Sequence, residues 1–491
     1  MADVISGDDY VTKNGSYLYA GKELDWPSVK SFITHNEGRA RKFKELYDLY
    51  TGDHAILKNP ADPKSARPDN RLVSNWANYV VDTYVGYFIG KPPKITLDEE
   101  ASNQQLPNWF SENSFIDKLA EVTKQVAIYG CSYMLGYQDE TSKTRVAVVE
   151  PSSGFMIYDT SINRKPLAFV RYSYFNNQLQ GDLYNADGIQ PFTSSGFTGD
   201  KDSKPFKAVP AIEFVANDER LSLVGKIKTL VEAYDSAFSQ KANQVAYFDA
   251  AYLAILGINL KKDKSGDPIL NIDKNKVIYA PNFDSTKGKI EFLSKPDGDT
   301  MQENMLNRLK DDIFQTAMVA NLSDEAFSGN SSGVAIRYKL LAMQNQAAFE
   351  VRKFTIALRN LLGALLGLGQ IIGTVNDGDK IKQDLNFHFN QNIPEDIASE
   401  VQAASAVEGI VSKETQLGLL PFVDDPKAEI KRMADEQADK VKEAVKNQAS
   451  ATDMLKGGNN GENTEESEKR GLLGQPGRGG SGLDSSKPSQ R

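Results

Sequence analysis

Few residues of this chain are of types that carry chemistry, and their spacing does not assemble a site. Three histidines occur in 491 residues, His35, His54 and His388, far apart and in unrelated surroundings. A zinc site needs ligands at short fixed intervals on one element, such as His-x-x-x-His or paired cysteines. Neither pattern occurs, and no Asp-x-Asp loop has calcium-binding spacing. The single cysteine, Cys131, sits where a helical pattern gives way to a strand pattern, with no histidine nearby in sequence. It reads as a core thiol rather than a nucleophile. No G-x-x-x-x-G-K-[ST] is present to cradle a phosphate. Gly367-Leu368-Gly369 followed by Gly373 misses the dinucleotide-binding spacing and follows a helix rather than a strand. Glu99-Glu100 and Asp311-Asp312 lie in ordinary polar settings. The residue types therefore point away from catalysis, and no cofactor is expected.

The informative stretch runs from Leu223 to Gly369. Apolar residues Ile227, Leu230, Val231, Tyr234, Phe238, Val245, Phe248 and Tyr252 recur at three- and four-residue steps, predicting a helix over about 226–255. Met305, Leu309, Ile313 and Ala317 predict a second over about 302–322. Between them, short apolar runs alternate with turn residues, which predicts a small β element. After the second helix, residues 323–333 hold two glycines and four serines. A helix predicted over 334–368 follows, spanning roughly 50 Å if straight. Two long helices with a β tip form a protruding arm. Its apolar stripes call for packing against copies of the same chain, and a heterologous contact that closes makes a ring.

The rest of the chain frames this arm. Length allows two to four domains. With 40% hydrophobic and 25% charged residues most of it should be globular, and a formal net charge of −9 rules out gripping nucleic acid by bulk charge. One cysteine excludes an intrachain disulfide and fits a reducing compartment. The polar, acidic start MADVISGDDY is no secretory signal. The most apolar run, 354–373, is interrupted by Arg359 and Asn360, so no membrane span is expected.

In chain order, Asn14-Gly15 between apolar runs predicts a hairpin over 10–21. Helices are expected at 27–35 and 37–50, the second basic through Arg39, Arg41, Lys42 and Lys44, then at 71–89 and 114–130. Strand patterns fill 131–216, so helix and strand are segregated and the body is α+β. Residues 384–392 read as one strand rejoining that body. Helices are expected at 394–409, 413–418 and 425–444. The tail, 447–491, is too polar to bury a core and is expected to be disordered.

The order of these segments resembles the portal proteins of tailed bacteriophages, in the SPP1-type branch. YDLYTGDH and PDNRLVSNWANYVVDTYVGYFIGKPPKI look like its N-terminal signature. AIEFVANDERLSLVGKIKTLVEAYDSA looks like its strand-to-stem junction, and EAFSGNSSGVAIRYKLLAMQNQAA like its tunnel loop and long helix. The resemblance covers nearly the whole chain up to the tail. It implies a portal fold: a wing (53–222 with the returning 370–392), a stem (223–255 and 302–322), a clip (256–301), a tunnel loop (323–333), a long wing-crossing helix (334–369) and a crown (393–445). It further implies a ring of twelve at one capsid vertex through which double-stranded DNA is packaged and ejected without regard to sequence. The implied partners are the terminase large subunit, a head-completion or adaptor protein, and the major capsid and scaffolding proteins. The implied locations are the virion and, during assembly, the host cytoplasm. The residues by themselves leave open a protein-binding scaffold that forms no ring, and a hydrolase with an unfamiliar site.

Within a ring, one axis-facing side chain becomes a circle of like charges. An acidic lining would repel phosphate and let DNA slide. Glu232, Asp235 and Asp249 on the first stem helix and Asp311 and Asp312 on the second are candidates for it. Lys241, Arg308, Lys310, Arg337 and Lys339 are candidates for sparse basic contacts with phosphate. Ser328, Gly329, Asn330, Ser331, Ser332 and Gly333 can change backbone conformation at little steric cost and are the candidate DNA-contacting loop. Lys261, Lys262, Asp263, Lys264 and Asp267, around a charged turn at the tip, are the candidates for docking terminase or the adaptor.

Overall fold

The structure is a computed structural model. It describes all residues except 1, 61–67, 99, 203–205, 207, 249–251, 257, 259–276, 281–288, 294–298, 324–332, 369–370, 372–377, 394–396, 421, 424–425 and 457–491. The chain divides into two compact units, Met1–Pro394 and Glu395–Arg491.

The first unit opens with three strands, β1 (Ala2–Ser6), β2 (Asp9–Thr12) and β3 (Tyr17–Tyr19), paired antiparallel in sequence order. The Asn14-Gly15 turn lets β2 reverse into β3, with Gly15 at φ +81°, a conformation that suits glycine. Helix α1 then runs unbroken from Trp26 to Thr51, where two shorter helices were expected. Asp25 caps it by accepting from the Ser28 N–H, Pro27 occupies its first turn, and Gly52 ends it at φ +87°. The expected break at Asn36 does not occur because that side chain is satisfied outside the helix. It accepts from Tyr17 and donates to Pro151 O and to the Tyr172 hydroxyl, at 3.0–3.1 Å.

Helix α2 (Ala55–Lys58) is one turn long. Helix α3 covers Trp76–Ile89 rather than starting at Arg71, and Asn75 caps it. Strand β4 (Lys94–Leu97) and helix α4 (Glu100–Glu112) lead to α5 (Phe115–Tyr129), whose buried face is mostly apolar, with Thr123 and Gln125 the polar exceptions. The strand region then supplies β5 (Cys131–Gln138), β6 (Thr144–Val149), β7 (Gly154–Asp159), β8 (Pro166–Phe175), β9 (Gln178–Asn185), β10 (Gly188–Thr193), β11 (Gly196–Phe197) and β12 (Ala211–Val215). Two sheets result. An eight-stranded sheet has the order β1-β2-β3-β7-β8-β9-β10-β11, and its one parallel pairing, β3 with β7, attaches the N-terminal strands. A three-stranded sheet has the order β12-β5-β6.

Helix α6 (Leu223–Phe248) follows, then β13 (Tyr252–Leu256), β14 (Val277–Ala280) and β15 (Lys289–Leu293), then α7 (Asp299–Ala317). The expected first stem helix ends early, because Tyr252–Leu256 pairs with Lys289–Leu293 as a strand. The long helix is interrupted. Helix α8 covers Gly333–Lys339 and α9 covers Leu341–Leu366. At the intervening Leu340, ψ is −4°, far from the helical value near −42°. Helix α10 (Gly378–Asp384) and β16 (Leu385–His388) close the unit, β16 pairing antiparallel with β4. That pairing returns the chain to the body.

Two cores hold this unit. The larger gathers α3, α5, the roots of α6 and α7, and the inner face of α9 around residues such as Tyr84, Phe88, Phe214 and Phe354. The smaller sits under the eight-stranded sheet around Phe32, Phe155 and Phe169. The second unit comprises α11 (Ile397–Ala406), α12 (Lys413–Leu417) and α13 (Pro426–Lys456). Helix α13 extends past the expected end near residue 444, into what was read as tail.

Candidate channel and docking elements

The helix pair α6–α7 is anchored by a buried polar junction and a ladder. The junction lies between β12 and α6. Arg220 turns its guanidinium onto Glu213, donating from Nε and Nη2 at 2.7 and 2.6 Å. Tyr158 donates to the same carboxylate at 2.9 Å and Tyr133 at 3.3 Å. Burial alone would raise the Glu213 pKa, but the Arg220 charge and hydrogen bonds outweigh it and hold the carboxyl below its usual range. The backbone closes just as tightly. Gly130 sits at φ +90°, and a Cβ there would lie 2.0 Å from Arg220 O, so only glycine fits. Leu223, Val224, Ile227 and Val231 then sink the first two turns of α6 into the core.

The ladder lies along the next part of α6. The extended segment before α3 runs beside the helix. The N–H groups of Asn70, Leu72 and Ser74 donate to Asn243 Oδ1 at 2.6 Å, Ser239 Oγ at 2.9 Å and Asp235 Oδ1 at 3.0 Å. Four helical residues advance about 6 Å, and two extended residues nearly the same, so the two spacings match over three rungs. The other Asp235 oxygen meets His54 Nδ1, while His54 Nε2 bonds to Leu49 O at 2.9 Å. Burial opposes a charge on His54, but the hydrogen bond and charge of Asp235 win and raise its pKa.

Asp235 therefore cannot line a channel: it is 1% exposed and fully committed inside the chain. The other sequence candidates fall as follows. Glu232 is partly exposed and pairs with Lys228 at 3.1 Å, one helical turn away. Lys241 ties α6 to α7 through Asp299 at 3.0 Å and through Glu303. Nearby, Gln302 donates to Gln244 at 2.6 Å. Arg308 and Asp312 pair along α7 at 2.9 Å, with Arg308 exposed. Asp311, Arg337 and Lys339 are exposed and Lys310 is partly so. Gly333 is the first residue of α8. Asp249, the loop residues Ser328, Gly329, Asn330, Ser331 and Ser332, and the tip residues Lys261, Lys262, Asp263, Lys264 and Asp267 lie outside the described residues. The β strands that follow α6 form a separate mixed sheet of order β14-β13-β15.

A second buried group escaped sequence reasoning. Glu350, on the inner face of α9, accepts from the Tyr84 hydroxyl at 2.6 Å. Its other oxygen is buried without a hydrogen bond. Burial is the main cause that lifts its pKa to about 7, with Tyr84 and the more distant Lys226 pulling the other way. Lys226 bonds instead to Gln346 at 3.3 Å. A lone acid within a basic, apolar helix was the available signal.

Among the described residues, no group of three His, Cys, Asp or Glu is placed to hold a metal ion. Cys131 is buried, and burial pushes its thiol up to about 11, so it is protonated at neutral pH. No described helix is long and apolar enough to cross a membrane.

The family model described as phage portal protein, SPP1 Gp6-like, matches residues 29–443. The chain is 23% identical over 399 residues to the portal protein of Bacillus phage SPP1, covering 75% of this chain and 76% of that one. It is 21% identical over 463 residues to the portal protein of Clostridium phage phiCD119, covering 86% and 99% respectively. Among solved structures, the neck of an empty GTA particle superposes with a TM-score of 0.41 at 11% identity, covering 70% of this chain and 90% of that one.

Proposed function

Since the chain belongs to the SPP1 Gp6-like family of phage portal proteins, we propose that twelve copies form the ring at the unique capsid vertex, with DNA packaged and ejected along its axis. The observation that carries the reading is the family match over 29–443, which spans the helix pair, the β tip and the long helix together. In this reading α6 and α7 form the stem, β13–β15 belong to the clip, and α8–α9 cross the wing. The second unit supplies the crown.

The role is structural. The ring is a conduit and a docking platform, and ATP hydrolysis belongs to the terminase that docks on it. The clip turn bearing Lys261, Lys262, Asp263, Lys264 and Asp267 is the docking site for terminase and, later, for the adaptor. Reversing the charge of the three lysines should abolish co-purification of terminase; undiminished co-purification would remove these residues from the site. The major capsid and scaffolding proteins are partners during procapsid assembly in the host cytoplasm.

The deciding experiment is native mass measurement of the purified chain with negative-stain electron microscopy. Rings with a central hole at about a dozen times the chain mass are expected. A chain that stays monomeric and also stays out of co-expressed procapsids would overturn the reading in favour of a ringless scaffold.

A further inference from the structure

The turn after β2 and the turn after β7 flank a cavity of about 540 Å³, a volume usual for small-molecule sites. Its charged lining residues are Lys13, from the first turn, and Arg164, from the second, with Thr160 beside them. Among the described residues, neither cation has an ion-pair or hydrogen-bond partner for its side chain. Both turns are fixed by their own bonds. Asn14 donates to Asp218 O at 2.6 Å and accepts from the Thr12 and Ser16 hydroxyls. Asp159 accepts from the Ser161 hydroxyl at 2.6 Å and the Lys165 N–H at 2.8 Å, which commits this carboxylate to its turn.

A second cavity of about 400 Å³ shares Asn14 and Arg164 with the first, so the two adjoin. Tyr158 and Arg220 line it, and Arg220 is already committed to Glu213. Its acid is Asp218, which pairs with Lys353 at 2.5 Å yet stays 76% exposed. The joined space is therefore cationic at one end and carries a carboxylate at the other. Arg164 at φ +45° and Arg220 at φ +56° are the arginines with positive φ among the described residues, and both line this space. That conformation is unfavourable for a long side chain. Arg220 offsets it through Glu213, whereas no described side-chain bond does so for Arg164.

We propose that this space binds a small sugar phosphate, with the phosphoryl group between Lys13 and Arg164 and the hydroxylated body toward Tyr158 and Asp218. The inference is independent of the portal reading. A phosphoryl group has three oxygens to share among a guanidinium fork, an ammonium and the Thr160 hydroxyl, one more than a carboxylate offers. An ionised Asp218 only accepts hydrogen bonds, so it takes a hydroxyl of the body and repels a second anionic group. A polyphosphate or a nucleic-acid strand would carry further negative charge toward it.

The test titrates the full chain by calorimetry. Ribose 5-phosphate should bind, ribose should not, and inorganic phosphate should bind at least about tenfold more weakly. Lys13→Met and Arg164→Gly should each weaken ribose 5-phosphate binding at least about tenfold. Glycine also relieves the positive φ, so the thermal midpoint of Arg164→Gly should equal or exceed that of the wild type while binding is lost; a purely structural arginine would lower it. No binding by the wild type, or unchanged binding by both variants, would overturn the site. Ribose or inorganic phosphate binding as tightly as ribose 5-phosphate would overturn its ligand class, as would displacement of ribose 5-phosphate by a short DNA duplex at equal phosphate concentration.

Discussion

Ser74 donates its backbone N–H to Asp235 across 161 residues of sequence, at 3.0 Å, and His54 holds the other carboxylate oxygen. This rung fastens the segment before α3 to α6. Asp235→Ala would leave a backbone N–H and a buried imidazole without partners, at a cost on the order of 2 to 4 kcal/mol. Glu232→Ala, one turn away and partly exposed, should change stability by less than about 0.5 kcal/mol. Urea unfolding of both variants checks this; equal effects would contradict the assigned burial.

The same rung makes stability depend on pH. The His54 pKa is raised in the folded chain above its ordinary 6.5. Its contribution is therefore fully present below about 6.5 and is lost as pH rises through the higher folded-state value. His54→Gln should flatten this part of the stability profile, measured as denaturant midpoint against pH.

Glu350 works in the opposite sense. With a folded-state pKa near 7 against an ordinary 4.5, it imposes no penalty below about 4.5. Stability falls as pH rises from there to about 7, and above that the whole penalty of a buried charge is felt. The shift corresponds to roughly 3 kcal/mol. Glu350→Gln keeps the size and the acceptor for Tyr84, so it should raise the unfolding midpoint above pH 7 and leave it nearly unchanged at pH 4.5. An unchanged midpoint at pH 8 would show that the carboxylate finds other compensation.

The Arg220–Glu213 pair should behave as a buried unit. Removing Arg220 alone leaves Glu213 uncompensated beneath Tyr158 and Tyr133, at a cost of about 3 to 5 kcal/mol. Arg220→Met combined with Glu213→Gln should recover a large part of that loss. A double-mutant cycle by thermal unfolding reads the coupling directly.

The loop at 328–333 carries a prediction of function rather than stability. Replacing Asn330 and Ser331 with glutamate adds two rings of negative charge to the proposed channel. DNA packaging should fall while ring assembly and unfolding stay as in the wild type. Normal packaging by this variant would remove the loop from the DNA path.

Some of this protein was determined by sequence alone, because the determinant is local. The steps between Ile227 and Phe238 specify a helix wherever they occur, and Asn14-Gly15 specifies a reversal. The order of helix, β insert, helix, polar loop and long helix is likewise a property of neighbouring residues, and that order carried the family resemblance. Pro27 in the first turn and Gly52 just past the last are local signals of the same kind for the limits of α1.

Tertiary structure decided whatever depended on a distant partner. Asp235 looked like any charge on an exposed helix, because His54 and Ser74 lie more than 150 residues away. Asn36 looked like a helix break until Tyr17, Pro151 and Tyr172 supplied its hydrogen bonds. Residues 71–74 fitted a helical pattern, yet the N–H groups of Leu72 and Ser74 found better-placed acceptors on α6. Tyr252 continued the stripe of α6, but Tyr252–Leu256 was taken by the strand at Lys289–Leu293. In each case backbone or side-chain polar groups had two ways to be satisfied, and only the packed chain determined which one left fewer of them buried without a partner.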